Sequence, residues 1–286
     1  MENKIFFYNI QIARGIAAIL VIMSHTNLML NPSLFNGLFL PGWSGVHFFF
    51  VLSGFIIFWS NSNDIANPKK FKSYAFKRFK RIFPIYWLYT LGILILDLMC
   101  YQFMGHHIIT WNSLNSSSVI QSFALWPTEV DERYMPIIPV AWTLSYEVIF
   151  YALFGVLIIS NRKLSYLIIF TWVLLIFLAA YDIIKTDNNL VFVVLNTYNL
   201  EFLLGCIAGY LLKIKFNLNF QAIIILIILG CFLASFSWYN VYTNYEIFEK
   251  NIVIQFGIPF FIIVLGLALL DKNKTSNLNK LKKLAV

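Results

Sequence analysis

Apolar runs long enough to cross a bilayer fill most of this 286-residue chain, and they restrict the folds open to it more than any other feature. Eight runs stand out, approximately 12–30, 43–60, 82–100, 141–159, 164–182, 190–212, 219–238 and 251–270. About 20 residues of helix span a hydrocarbon core of roughly 30 Å. Within that core every backbone amide needs an internal partner, which leaves helices or closed barrels. Continuous apolar runs, rather than alternating ones, favour helices. The expected fold is therefore all-α: a polytopic transmembrane bundle of about eight spans in one membrane-embedded domain, residues 1–286. The sixth run is the weakest, because Asn196, Asn199 and Glu201 interrupt it.

Charge supplies the orientation. Only 12% of residues are charged, against about 25% in soluble domains. With both termini in the cytoplasm, 18 of the 21 Lys and Arg residues fall inside, and only Arg133, Lys185 and Lys250 fall outside. That distribution also explains the net charge of +8 without nucleic acid. Cys100, Cys206 and Cys231 lie in or beside apolar runs and show no metal or disulfide spacing. The first run lacks a small-residue cleavage site and reads as a retained helix. Two connections are informative: a basic cytoplasmic segment at 61–81, and a long external one at 101–140 that could fold back as a lid. Asp97 and Asp182, near span ends, are expected to reach water.

Ionisable groups inside spans are costly and are functional candidates by default. Arg14 and His25 are eleven residues apart, about three helical turns, so they share one face at an axial spacing of about 16 Å. Singly, Arg14 reads equally as an interfacial anchor and His25 as a buried histidine bonded to a neighbour. Together they point to a lined path into the membrane. Histidine exchanges a proton near neutral pH, and arginine grips phosphate bidentately.

Other polar positions recur. In GWSGVHFFFVLSGFII (42–57), Gly45 and Gly54 permit close helix approach, and Ser53 orients a substrate or bonds its own helix. His47 is expected at the outer interface. In YAFKRFKRIFPIYW (74–87), Arg78 and Arg81 share a face, with Tyr86 and Trp87 beyond Pro84. They form either an anionic-lipid anchor or a clamp for a polyphosphorylated ligand. In PVAWTLSYEVIFY (139–151), Glu147 reaches a depth similar to His25 and could orient it, or be satisfied by Trp142, Tyr146 or Tyr151. In NLEFLLGCIAGYLL (199–212), Glu201 is a second intramembrane acid, and Gly205 and Gly209 form a small-xxx-small pattern. No phosphate-binding Gly-rich loop, zincin motif or nucleophile elbow is present.

In their order, Arg14 with His25, GVHFFFVLSGF (45–55), RFKRIFPIYW (78–87), WTLSYEVIFY (142–151) and EFLLGCIAGY (201–210) resemble the acyltransferase-3 family of bacterial integral-membrane O-acyltransferases. The resemblance runs from about residue 7 to the C-terminus. It implies transfer of an acyl group, often acetyl, from cytoplasmic acetyl-CoA to a hydroxyl of a surface or lipid-linked polysaccharide, in the bacterial inner membrane. It implies no permanently bound cofactor and no metal; acyl-CoA is a co-substrate, and the partners are the bilayer and a glycan acceptor, not nucleic acid. With the reading of the residues above, the expected catalytic residues are His25 with Glu147 as its orienting acid. Arg14, Arg78 and Arg81 would bind the donor, and Ser53, Tyr86, Trp142 and Glu201 would line the acceptor pocket.

Two departures from the family pattern matter. His47 stands where the family often has an acid, so no role of that acid transfers. Members usually continue into a segment similar to SYSIYL, whereas this chain stops at NKLKKLAV. The expectation is that the family's last helices are absent, which leaves an inactive homologue as one alternative. A transporter or flippase of a lipid-linked glycan, using the same intramembrane charges, is the other.

Overall fold

The structure, a computed structural model, describes residues 5–30, 34–107, 116–127, 136–244 and 251–284. Trp111, Arg133 and Lys250 lie outside them. Among the described residues the chain is helical, with no strand. It divides into two compact units, Met1–Ser62 with Leu200–Val286, and Asn63–Asn199.

The first unit holds α1 (Tyr8–Met29), α2 (Gly45–Asn61), most of α8 (Tyr198–Lys213), α9 (Phe220–Asn244) and α10 (Ile258–Leu284). Small residues set its packing. A Cβ on Gly205 would land on the Val51 carbonyl oxygen, and one on Gly54 on the Phe202 carbonyl oxygen. Helices α2 and α8 therefore touch backbone to backbone, as the small-xxx-small pattern predicts. Gly45 likewise abuts the Ala17 carbonyl of α1, and Gly230 and Gly266 seat the α10 side chain Ile263 and the α9 side chain Ile227 respectively. Asp271 on α10 accepts the Asn9 backbone N–H at 3.1 Å and its side-chain amide at 2.6 Å. A distant carboxylate thus satisfies a donor at the start of α1, which lacks a side-chain cap of its own.

The second unit holds α3 (Phe71–Met104), α4 (Ser116–Phe123), α5 (Trp142–Ile159), α6 (Arg162–Ala180) and α7 (Asn189–Leu195). Helix α3 runs antiparallel to α5. Gly155 faces Phe71, the Tyr74 hydroxyl donates to the Tyr151 carbonyl at 3.0 Å, and Arg81 faces Glu147. This register corrects the reading of 61–81 as a connecting segment. From Phe71 onward it is helix, continuous through Pro84, and it packs along the apolar α5. Part of the 101–140 segment packs against α3. Tyr86 donates to the Ser122 carbonyl at 2.8 Å, and the Trp87 indole donates to the Phe123 carbonyl at 2.9 Å.

Seven helical stretches among the described residues are long and apolar enough to cross a membrane. They match the expected runs from 43–60 onward. The run at 12–30 forms α1, which is not one of the seven. This helix carries Asn9, Gln11, Arg14, His25 and Asn27, and Ile12, Ile16, Ile19 and Ile22 form an exposed apolar stripe along it. The sixth run is one candidate span, Asn189–Lys213, broken at Asn196 into α7 and α8. The Asn199 side-chain amide donates to the carbonyls of Val193 (2.7 Å), Val194 (3.2 Å) and Asn196 (3.1 Å). An interrupted helix survives in a membrane when its freed carbonyls find such donors.

Candidate functional site

Three polar constellations stand inside the apolar helices. The first joins α3 and α5. The Arg78 guanidinium lies over the Tyr74 ring at 5.4 Å and over the Tyr151 ring at 5.3 Å. Two aromatic faces hold one cation, which fixes a side chain that would otherwise keep many rotamers. One turn further along α3, Arg81 sits 3.8 Å from Glu147 with its side chain 41% exposed. The Tyr151 hydroxyl donates to the same Glu147 oxygen. Tyr74 is itself anchored, stacked on Phe154 and bonded to the Tyr151 carbonyl. Arg78, Arg81 and Glu147, three of the residues read from the sequence, therefore meet in one cluster. Tyr74 was missed there, and Tyr151, expected as one possible partner of Glu147, is that partner and also a wall for Arg78. Their signal was legible: Tyr74 precedes Arg78 by four residues, and Glu147 precedes Tyr151 by four, the spacing that puts side chains in contact on a helix.

The second constellation is on α1. His25 Nδ1 lies 2.8 Å from the Val21 carbonyl oxygen. A carbonyl only accepts, so Nδ1 carries the proton, and in the neutral ring Nε2 is left as the basic nitrogen. His25 is half-buried and Arg14 is exposed. The face that joins them runs through Ala18 and Val21, as the eleven-residue spacing requires. A cavity of about 470 Å³ borders the neighbouring face of α1, with Ala13, Ile16, Ala17 and Leu20 in its wall. It is apolar apart from Ser44 and Ser235, and neither Arg14 nor His25 lines it. His25 and Glu147 belong to different units. His25 meets Val21, and Glu147 meets Tyr151 and Arg81.

The third constellation corrects the sequence reading of His47. The sequence reading needed no partner for it, and the fold gives it one. His47 is buried, 1% exposed, and its Nδ1 sits 2.9 Å from both oxygens of the equally buried Glu201. The imidazole stacks on Phe256 at 5.6 Å and meets the edge of Trp43 at 5.4 Å. No periodicity in the sequence links positions 47 and 201; only the approach of α2 and α8 does.

The four residues expected around an acceptor divide between the units. Ser53, half-buried on α2, and Glu201 belong to the first; Tyr86 and Trp142 belong to the second. The Tyr86 hydroxyl is engaged by Ser122, while Trp142 packs edge-on against Tyr146 and beside Tyr198. Asp182 is exposed as expected, but Asp97 does not reach water. It is fully buried beneath His107, whose Nδ1 donates to it at 2.7 Å and whose ring stacks on Tyr101 at 4.3 Å. Gly105, in a left-handed turn, folds the chain back so that His107 covers the helix face it has just left. Among the described residues no cluster of His, Cys, Asp and Glu is suited to a metal ion.

Apolar helices long enough to cross a bilayer, with an arginine cluster and a buried histidine–carboxylate pair held between them, define a multi-pass membrane protein. A family model described as an acyltransferase domain matches residues 7–285, and the chain belongs to this acyltransferase-3 family. It is also similar to the exopolysaccharide production protein ExoZ of Rhizobium meliloti (strain 1021), with 27% identity over 176 residues. That match covers 60% of this chain and 51% of the relative, so the similarity spans about half the relative's length. No solved structure matches the chain.

Proposed function

We propose that this chain is a membrane O-acyltransferase. It takes an acyl group, acetyl in the simplest case, from acyl-CoA on the cytoplasmic side of a bacterial inner membrane. It delivers that group to a hydroxyl of a cell-surface or lipid-linked polysaccharide. Membership of the acyltransferase-3 family supports the reaction class, and similarity to an exopolysaccharide production protein supports the acceptor class.

The observation that carries the donor assignment is the Arg78–Arg81 pair. A guanidinium held between two aromatic rings presents its N–H groups at low entropic cost, and a second arginine one turn away widens the grip. Planar guanidinium groups match phosphate oxygens bidentately, and coenzyme A thioesters carry three phosphates. The family resemblance alone supports a donor-binding role for Arg14 on α1. Glu147 is read as the counter-ion of Arg81.

His25 supplies the base through Nε2, in the tautomer that Val21 sets. The acceptor oxygen bonds to the acyl carbon and the carbon–sulfur bond breaks. The hydroxyl proton passes to His25 Nε2 and then to the departing thiolate, so no other reactant is needed.

The test is acyl transfer in membrane vesicles containing the chain, supplied with acetyl-CoA labelled in the acetyl group. Label should appear in the polysaccharide fraction, and Arg78→Ala with Arg81→Ala should raise the KM for acetyl-CoA. Movement of glycan across the vesicle membrane without acyl-CoA, and with no label transferred, would instead identify a transporter.

A further inference from the structure

We infer that Tyr151 is a positioning residue of the donor grip, acting on both of its arginines. This deepens the donor assignment made above and rests on it. Two contacts carry the inference. The Tyr151 ring lies 5.3 Å from the Arg78 guanidinium, and its hydroxyl donates to Glu147, the carboxylate that faces Arg81 at 3.8 Å. A single side chain thus touches the first arginine directly and the second through its counter-ion.

The two arginines are held in different ways. Arg78 is half-buried between rings, and rings cannot compete with a phosphate for its N–H groups. Arg81 is more exposed and faces a carboxylate, which does compete. Glu147 therefore occupies, at Arg81, the place that a ligand phosphate would take. For an anion to bind there, the carboxylate must give up part of its attraction to Arg81. A carboxylate this enclosed, 16% exposed at its side chain, gives up a cation only where another donor remains. The Tyr151 hydroxyl is one such donor. Tyr151 is itself fixed from the other side, because its carbonyl accepts the Tyr74 hydroxyl at 3.0 Å.

The roles of ring and hydroxyl are separable. Tyr151→Phe keeps the face under Arg78 and removes only the bond to Glu147. Glu147 then depends more on Arg81, and the anion meets a stronger competitor. Glu147→Gln removes the competing charge and frees Arg81. The two substitutions thus have opposite signs on donor affinity, and the first acts only through the second residue.

The experiment is calorimetric titration of coenzyme A into the full chain in lipid nanodiscs. Tyr151→Phe should weaken binding by about tenfold, the scale of a hydrogen bond to a charged group. Glu147→Gln should tighten it by several-fold. The double variant should bind as Glu147→Gln alone does, because the hydroxyl has lost the charge through which it acts. Rescue of this kind is not expected of a residue that only supports the fold. Unchanged binding in Tyr151→Phe, or the same loss with and without Glu147→Gln, would overturn the inference. Arg81→Ala separates the two levels. If it weakens binding while Tyr151→Phe does not, only the role of Tyr151 falls. If Arg81→Ala leaves coenzyme A binding unchanged, the donor assignment falls and the inference falls with it.

Discussion

His47 and Glu201, 154 residues apart in sequence, face each other in the apolar interior of the first unit, with one imidazole nitrogen 2.9 Å from both carboxylate oxygens. Both side chains are sealed from solvent by Phe256, Trp43 and the close contact of α2 with α8. A buried pair of this kind costs a great deal to break and less to replace whole. Glu201→Ala should therefore destabilise the fold by about 3–5 kcal/mol. Replacing both residues with apolar ones of similar volume, His47→Phe with Glu201→Leu, should cost less than that single change. Thermal unfolding of the purified chain in one detergent checks the order. A double variant less stable than Glu201→Ala would count against the pair being only a packing element.

The contact of α2 with α8 gives a second prediction. A methyl on Gly205 meets the backbone of Val51 and Phe55, which cannot rotate aside as a side chain can. Gly205→Ala should cost at least the roughly 1–3 kcal/mol of an overpacked core. Gly15 on α1 has nothing within 4 Å of where its Cβ would be. Gly15→Ala should be neutral or stabilising by up to about 1 kcal/mol, from helix propensity alone. Melting temperatures of the two alanine variants, measured side by side, test the contrast.

The link between Asp271 and Asn9 gives a third. Two amide donors of Asn9 rest on one buried carboxylate. Asp271→Ala should destabilise by about 1–3 kcal/mol, the cost of leaving buried donors unmade. Asp271→Asn, which still presents an oxygen, should cost less. Hydrogen exchange localises the effect: amides at the start of α1 should lose protection first. Uniform loss along the whole helix would point to general unfolding instead.

The fourth concerns His25. Its Nδ1 is committed to the Val21 carbonyl, so any proton transfer falls to Nε2. His25→Ala should lower acyl transfer in the vesicle assay by about 10²–10⁴-fold. Because His25 is only half-buried, the same change should alter the melting temperature little. Full activity in His25→Ala would remove the imidazole from the chemistry.

Much of this protein was legible in its sequence, because the bilayer constraint acts locally. A long apolar run has to be a helix, whatever surrounds it, so the runs from 43–60 onward reappear as membrane-length helices. The glycines of 205 and 209 announced a close contact for the same reason: small residues are useful chiefly where backbones approach. Periodicity also placed Arg78 and Arg81 on one face, and Arg14 with His25 on another, since a helix fixes the angle between its own residues.

What periodicity does not carry is the partner. Register between two helices depends on how side chains from both interlock, and neither sequence states it alone. Only the tertiary structure set α3 along α5, which turned a basic segment into part of a polar cluster and gave Glu147 to Arg81. Only the approach of α2 to α8 set His47 into a buried pair with Glu201. A turn at Gly105, by folding the chain back on itself, sealed Asp97 under His107. Hydrophobicity and spacing determined which segments are helices and which residues share a face; contacts between distant segments decided which charges meet.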